Sequence, residues 1–288
     1  MTAAAIAVAL LSSFLYALAS ATQQQAASAV PEDVKGLRLV LRLVRVPEWW
    51  AGFVGDTGGF ITQGIALALG SLLLVQPILV SILLFALPLG AWFGHRRVTR
   101  DNWTWAAVLS VALAAFVLVA NPTEGIDRAP GTDWFVVGSV LVPIVVGCLL
   151  GATATRSTLR SVLLAVATGV CYGVTAALLK TVMSLLGDGL FELFTHWETY
   201  ALAVAATAGT YLQQAAFQAG ALEASLPAVT VLEPVVAVAL GVTIMQEEVR
   251  ANGAEWLLIG IAVLAMAAGT IALARAAAEL ETPPSGRR

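Results

Sequence analysis

An all-α integral membrane protein is the fold class this sequence predicts, and three observations carry it. Of its 288 residues, 59% are hydrophobic and only 11% charged, against about a quarter charged in an ordinary soluble domain. The apolar residues gather into nine runs, each long enough for a helix to cross a hydrocarbon core that takes roughly 20 residues. The runs also lack the period-two alternation of membrane barrel strands. That balance excludes a soluble enzyme, a nucleic-acid binder and a disordered chain. Cys148 and Cys171 both lie in apolar runs, so neither a disulfide framework nor a zinc site is expected.

The nine spans read as 3–25, 49–69, 72–94, 103–121, 134–151, 160–186, 198–220, 223–246 and 255–275. The junctions at Leu69–Leu72 and Gly220–Glu223 are so short that they force antiparallel hairpins. Sorting Lys and Arg by loop places Lys35, Arg38, Arg42, Arg45, Arg96, Arg97, Arg100, Arg156, Arg160, Arg275, Arg287 and Arg288 on one side. Only Arg128 and Arg250 fall on the other, and Lys180 lies within a span. The positive-inside rule makes the first side cytoplasmic, with the N-terminus outside and the C-terminus inside. A plasma membrane is the expected location, and two Lys against thirteen Arg in an Ala-rich chain point to a GC-rich bacterial genome. The Ala19-Ser20-Ala21 pattern after the first run admits a signal peptide, but no basic residue precedes that run.

An internal repeat divides the chain. Without gaps, 48–77 and 198–227 share ten of thirty residues, among them Glu48/Glu198, Gly59/Gly209, Gln63/Gln213, Gly70/Gly220 and Pro77/Pro227. Arg100-Asp101-Asn102 against Arg250-Ala251-Asn252 extends this register. Tyr16-Ala17 matches Tyr172-Gly173 at a slightly different offset, which makes the first span a retained repeat member. The expected units are a first repeat (1–121), a linking span (134–151), a second repeat (158–275) and a cytoplasmic tail (276–288). The odd linking span would invert the second four-helix repeat relative to the first, the architecture of many secondary transporters.

The hairpin Gly209–Glu247, closing on "LEPVVAVALGVTIMQEE", resembles the drug/metabolite transporter superfamily of EamA type. The first-half counterpart is "LLLVQPILVSILLFALPLG". The stretch "RVPEWWAGFVGDTGGFITQGIALALGSLLLVQP" is similar to the NIPA-type branch, which is associated with magnesium transport. The resemblance covers Ser12 to Ala274 and implies a permease working by alternating access. It also implies a Pro within the penultimate helix of each half and a Glu near that helix's end. Only Glu247 meets the last expectation, since the first half has Gly94-His95-Arg96 there. The repeat pairs Pro77 with Pro227, whereas the motif pairs Gln76-Pro77 with Glu233-Pro234, and the sequence is compatible with both alignments.

Ionisable residues inside a span cost several kcal/mol and are functional candidates by default. Glu233 lies midway along its span before Pro234, which leaves the Thr230 carbonyl without its helical donor. The pair reads as a coupling or cation-binding carboxylate, or as a protonated Glu packing a kink. Asp56, in "VGDTGGF", reads as a second acid of the pathway or as a cap near the cytoplasmic surface. If both acids face one cavity, they could hold Mg²⁺ through retained waters. Lys180 would pair with a carboxylate, draw in an anionic solute, or snorkel to the outer headgroups. Gln63, Gln76 and Gln213 are candidates for lining a polar pathway, and Tyr211 shares a helical face with Gln214 and Gln218; the alternative is polar glue between helices.

Segment 31–47 reads as a basic amphipathic surface helix. Trp residues stand at span ends, as an interfacial belt predicts. No phosphate loop, HExxH or GxSxG motif occurs, so no enzyme and no cofactor are expected. The partners would be a small solute or ion, membrane lipids and, as one option, a second copy; nucleic acid is not among them. The readings carried forward are a transporter, proton-coupled in one version, a NIPA-like Mg²⁺ permease, and a non-transporting membrane partner protein.

Overall fold

A computed structural model describes residues 2–28, 47–94, 98–155, 158–219 and 222–281. The chain is helical, with no strand among these residues. In chain order the helices are α1 (Thr2–Ser28), α2 (Pro47–Leu69), α3 (Leu72–Leu79), α4 (Ile82–Gly94), α5 (Arg100–Ala120) and α6 (Gly131–Ala154). They continue as α7 (Thr158–Asp188), α8 (Leu190–Thr195), α9 (Trp197–Ala219), α10 (Leu222–Thr243) and α11 (Glu255–Glu281). The amphipathic segment 31–47 lies outside the described residues except for Pro47, and so does the tail beyond Glu281. Helix α11 itself continues past Ala274, where the apolar run ends.

Among the described residues, seven stretches are long and apolar enough to cross a membrane: Ala3–Thr22, Leu72–Leu89, Arg100–Ala120, Gly131–Ala154, Thr158–Asp188, Ser225–Thr243 and Glu255–Ala276. Helices α2 and α9, each of 23 residues, fall outside this set. They carry the polar residues Asp56, Thr62 and Gln63, and Thr207, Thr210, Gln213, Gln214 and Gln218, respectively, which dilute their hydropathy.

The run 72–94, read as one span, keeps one stretch able to cross a membrane, Leu72–Leu89, but its helix is interrupted. Pro77 lacks an amide hydrogen, and the chain turns at Val80–Ser81 through short-range bonds. Val80 N donates to Pro77 O at 3.2 Å and Ser81 N to Ile78 O at 2.9 Å. Ser71 caps α3 by accepting from Leu74 N at 3.2 Å, and Thr99 does the same for α5 through Asn102 N. Helix α5 ends at Asn121 in the left-handed region, φ 33°, a conformation Asn tolerates at a helix end.

Helix α1 packs along α2 and against α3 and α4, while α7 packs along α9 and α10. The two groups meet where α5 pairs with α11 and α3 with α10. Alanines at or near zero exposure, including Ala5, Ala9, Ala66, Ala165, Ala177 and Ala237, sit in the core; small side chains let helix backbones approach closely where lipid offers no hydrophobic contrast. Helix α6 packs mainly on α7 and leaves Phe135, Val136, Val140, Val142 and Leu150 exposed.

The repeat-matched prolines sit within the corresponding helices, Pro77 in α3 and Pro227 in α10, the alignment that the ungapped repeat expects. The register does not continue to Arg250-Ala251-Asn252: these precede α11, whereas Arg100-Asp101-Asn102 open α5.

At one end of the bundle the loop after α5 lies on the loop after α10. Thr123 N donates to Glu248 O at 2.8 Å and Ile126 N to Met245 O at 2.7 Å. A Cβ on Gly125 would overlap the Met245 carbonyl oxygen and press on the Gln246 backbone. Gly125→Ala is therefore expected to force these loops apart, destabilising the protein by about 1–3 kcal/mol, as overpacking does. A lowered Tm in detergent checks this; an unchanged Tm would contradict it.

Candidate functional site

The structure repeats one arrangement in each half. Tyr16 of α1 donates its hydroxyl to Gln63 Oε1 of α2 at 2.8 Å. Tyr172 of α7 donates to Gln213 Oε1 of α9 at 2.9 Å. Each ring lies against a glycine: a Cβ on Gly59 would stand 2.8 Å from Tyr16 Cδ1, and one on Gly209 2.7 Å from Tyr172 Cε1. A larger residue at either position would displace the ring, so the repeat-matched glycines seat the tyrosines. The Tyr hydroxyls occupy the amide oxygens, which leaves each Gln NH₂ as a donor.

Two carboxylates bear on this pair of clamps. Glu233 and Asp56 lie near enough to Tyr16 and Tyr172 for their charges, when ionised, to bear on both phenols, so groups from both halves converge. Glu233 is partly buried and Asp56 exposed; neither has a hydrogen-bond or ion-pair partner among the described residues. Helix α10 brings Glu233 in because α7 offers Gly169 and Gly173. A Cβ on Gly169 would stand 3.3 Å from Glu233 N, and one on Gly173 2.9 Å from Glu233 O. Neither acid is duplicated: the repeat offset places Ala206 opposite Asp56 and Leu83 opposite Glu233. Among the described residues no three His, Cys, Asp or Glu gather to hold a metal.

Lys180 does not join this cluster, and it does not snorkel. It is 2% exposed and donates to Glu247 Oε1 at 2.6 Å, with Asp127 Oδ1 at 3.9 Å. Glu247, equally buried, also accepts from Leu72 N at 2.9 Å and Leu73 N at 3.0 Å. It thus satisfies orphan donors at the start of α3, where the helix dipole favours a negative charge.

Gln76 is buried in α3, and its Nε2 has no hydrogen-bond partner among the described residues. Tyr211 is 74% exposed. Two residues along a helix turn the side chain by about 200°, so Tyr211 points away from Gln213, with Gln214 and Gln218 also exposed. Of the predicted site residues, the structure therefore assembles Glu233, Asp56, Gln63 and Gln213, sends Lys180 to an ion pair, and sets Gln76 and Tyr211 apart. Sequence reasoning missed Tyr16 and Tyr172 as site residues, although their match across the repeat was the available signal.

The halves are not packed alike at their two ends. A Cβ on Gly64 of α2 would touch Met183 Sδ of α7 at 2.9 Å, with Leu179 also in contact. Helix α9 makes no comparable contact with α1 among the described residues.

Seven apolar stretches able to cross a membrane, with no strand among the described residues, make this an all-helical protein compatible with a multi-pass membrane location. The chain is 35% identical over 250 residues to an uncharacterized protein of Corynebacterium glutamicum, covering 86% of this chain and 85% of that one. It belongs to the family of that protein. No family model matches, and neither does any solved structure.

Proposed function

We propose that the chain is a secondary transporter of the drug/metabolite type that moves a small cationic solute by alternating access. The observation that carries this reading is the duplicated Tyr–Gln pair, one from each half, under the charges of two unpaired carboxylates. Such a cluster has hydrogen-bond acceptors and negative charge but, among the described residues, no cation of its own, because Lys180 is engaged by Glu247. A solute bringing positive charge, or a proton, would complete it.

In this reading α2 and α9 are also spans, since 23 residues of helix reach about 34 Å. The count is then nine, with α6 linking two inverted repeats. The sorting of Lys and Arg by loop places the N-terminus outside and the C-terminus in the cytoplasm of a bacterial cell. The contact of α2 with α7, without its counterpart between α9 and α1, fits a transporter closed at its outer end. The exposed Gln214 occupies the repeat position of Gly64, and with Tyr211 and Gln218 it would line the opposite, open mouth.

The runner-up is a NIPA-like Mg²⁺ permease. It is favoured by two acids without competing ligands, since Mg²⁺ keeps several waters and uses one or two carboxylates. Proteoliposomes carrying an internal pH dye test both readings. Mg²⁺ entry above that of protein-free vesicles supports the permease, and proton movement only with an added organic cation supports the solute carrier. No flux of either kind would overturn transport and favour a non-transporting partner protein.

A further inference from the structure

We infer that Lys180, Glu247 and the first amides of α3 form a latch that holds the outer end of the bundle shut and must part for that end to open. This rests on the transport reading for its cycle, but its geometry stands alone. Lys180 belongs to α7 and Glu247 to the loop after α10, both in the second half, while Leu72 and Leu73 open α3 in the first. One buried carboxylate thus ties the halves through three bonds of 2.6, 2.9 and 3.0 Å.

The surroundings reinforce the tie. Thr181 donates to Asp127 O at 3.0 Å, fixing the loop after α5 beside the pair. A Cβ on Gly241 would stand 2.7 Å from Glu247 Oε2 and from Leu73 Cδ1, so this carboxylate fits only where α10 carries no side chain. On the same end α2 meets α7 at Gly64, Leu179 and Met183. The groups facing Lys180 are Glu247 and Asp127.

In sequence the pair is not repeated: offsets of 156 and 150 residues put Gln24 opposite Lys180 and Arg97 opposite Glu247, so the first half offers no matching acid and base. A buried charge pair acting as a conformational device is an attested use of a feature that adds little net stability. The chain would accordingly rest closed on the outside, and a loaded cycle would supply the free energy to separate the pair.

Leu179, buried in the α2–α7 seam, reports on opening. In full-length protein with Cys148 and Cys171 replaced by Ser, Leu179→Cys is labelled from the outside with a membrane-impermeant maleimide. Lys180→Met and Glu247→Gln are each added, and either suffices if the other fails to elute as a folded monodisperse protein. Labelling about tenfold faster in the folded variant is expected. Unchanged labelling in a folded variant would overturn the latch. Flux in the same vesicles separates the two ideas: unchanged labelling with intact flux overturns the latch alone, whereas faster labelling without wild-type flux supports the latch and overturns transport.

Discussion

Glu247→Ala is expected to lower the unfolding free energy by about 3–5 kcal/mol, the cost of breaking a buried charge pair from one side. The substitution strands the Lys180 ammonium at 2% exposure with only Asp127, 3.9 Å away. It also uncaps Leu72 N and Leu73 N, and losing a helix cap costs about 1 kcal/mol. These losses share one carboxylate and will not simply add. Lys180→Met is the milder change, because Glu247 keeps two amide donors and the field of the α3 N-terminus. Denaturation in detergent checks the order: Glu247→Ala should fall well below Lys180→Met. Equal and small losses would show that the pair is not buried as described.

Glu233→Gln should abolish most transport while leaving the fold intact. Gln has nearly the same volume as Glu, and no hydrogen bond or ion pair to the carboxylate is lost among the described residues. What disappears is the ability of this position to carry a negative charge next to the two tyrosines. Removing one partner of a desolvated charge pair costs about 2–5 kcal/mol, and each 1.4 kcal/mol is a factor of ten, so flux at low solute should fall by about 100-fold or more. Asp56→Asn should act in the same direction but less strongly, because Asp56 is exposed and water and salt screen it. Flux in proteoliposomes decides this. A fully active Glu233→Gln would make Glu233 a packing residue of the Pro234 kink.

Much of the fold was legible because the bilayer imposes length and apolarity on every crossing helix. The repeat registered 48–77 on 198–227, and the structure repeats one Tyr–Gln hydrogen bond at that offset, on Gln63 of α2 and Gln213 of α9. The break at Val80–Ser81 was not legible: it falls three residues after Pro77, inside an unbroken apolar run. Gln63 and Gln213 were found because the repeat singled them out. Tyr16 and Tyr172 were seen only as an alignment aid, since an aromatic in an apolar run has no signature until its hydroxyl finds a partner. Lys180 and Glu247 are 67 residues apart, and Glu247 and Leu72 are 175 apart. The resemblance singles out Glu247 as the Glu near the end of its helix, but only tertiary packing buries it against Lys180 and the start of α3. Tyr211 was chosen for sharing a face with Gln214 and Gln218, and that face is opposite to the one Gln213 presents.

On the transport reading, a water-reachable path between the halves ends at Glu233. It is tested most directly by placing a single cysteine there, Glu233→Cys with Cys148→Ser and Cys171→Ser, in sealed vesicles of known orientation. A small charged methanethiosulfonate reagent is then applied from each side. Modification from the cytoplasmic side, slow from the outside and accelerated there by Lys180→Met, is the predicted result. A folded protein whose residue 233 reacts from neither side, in either background, would contradict the path.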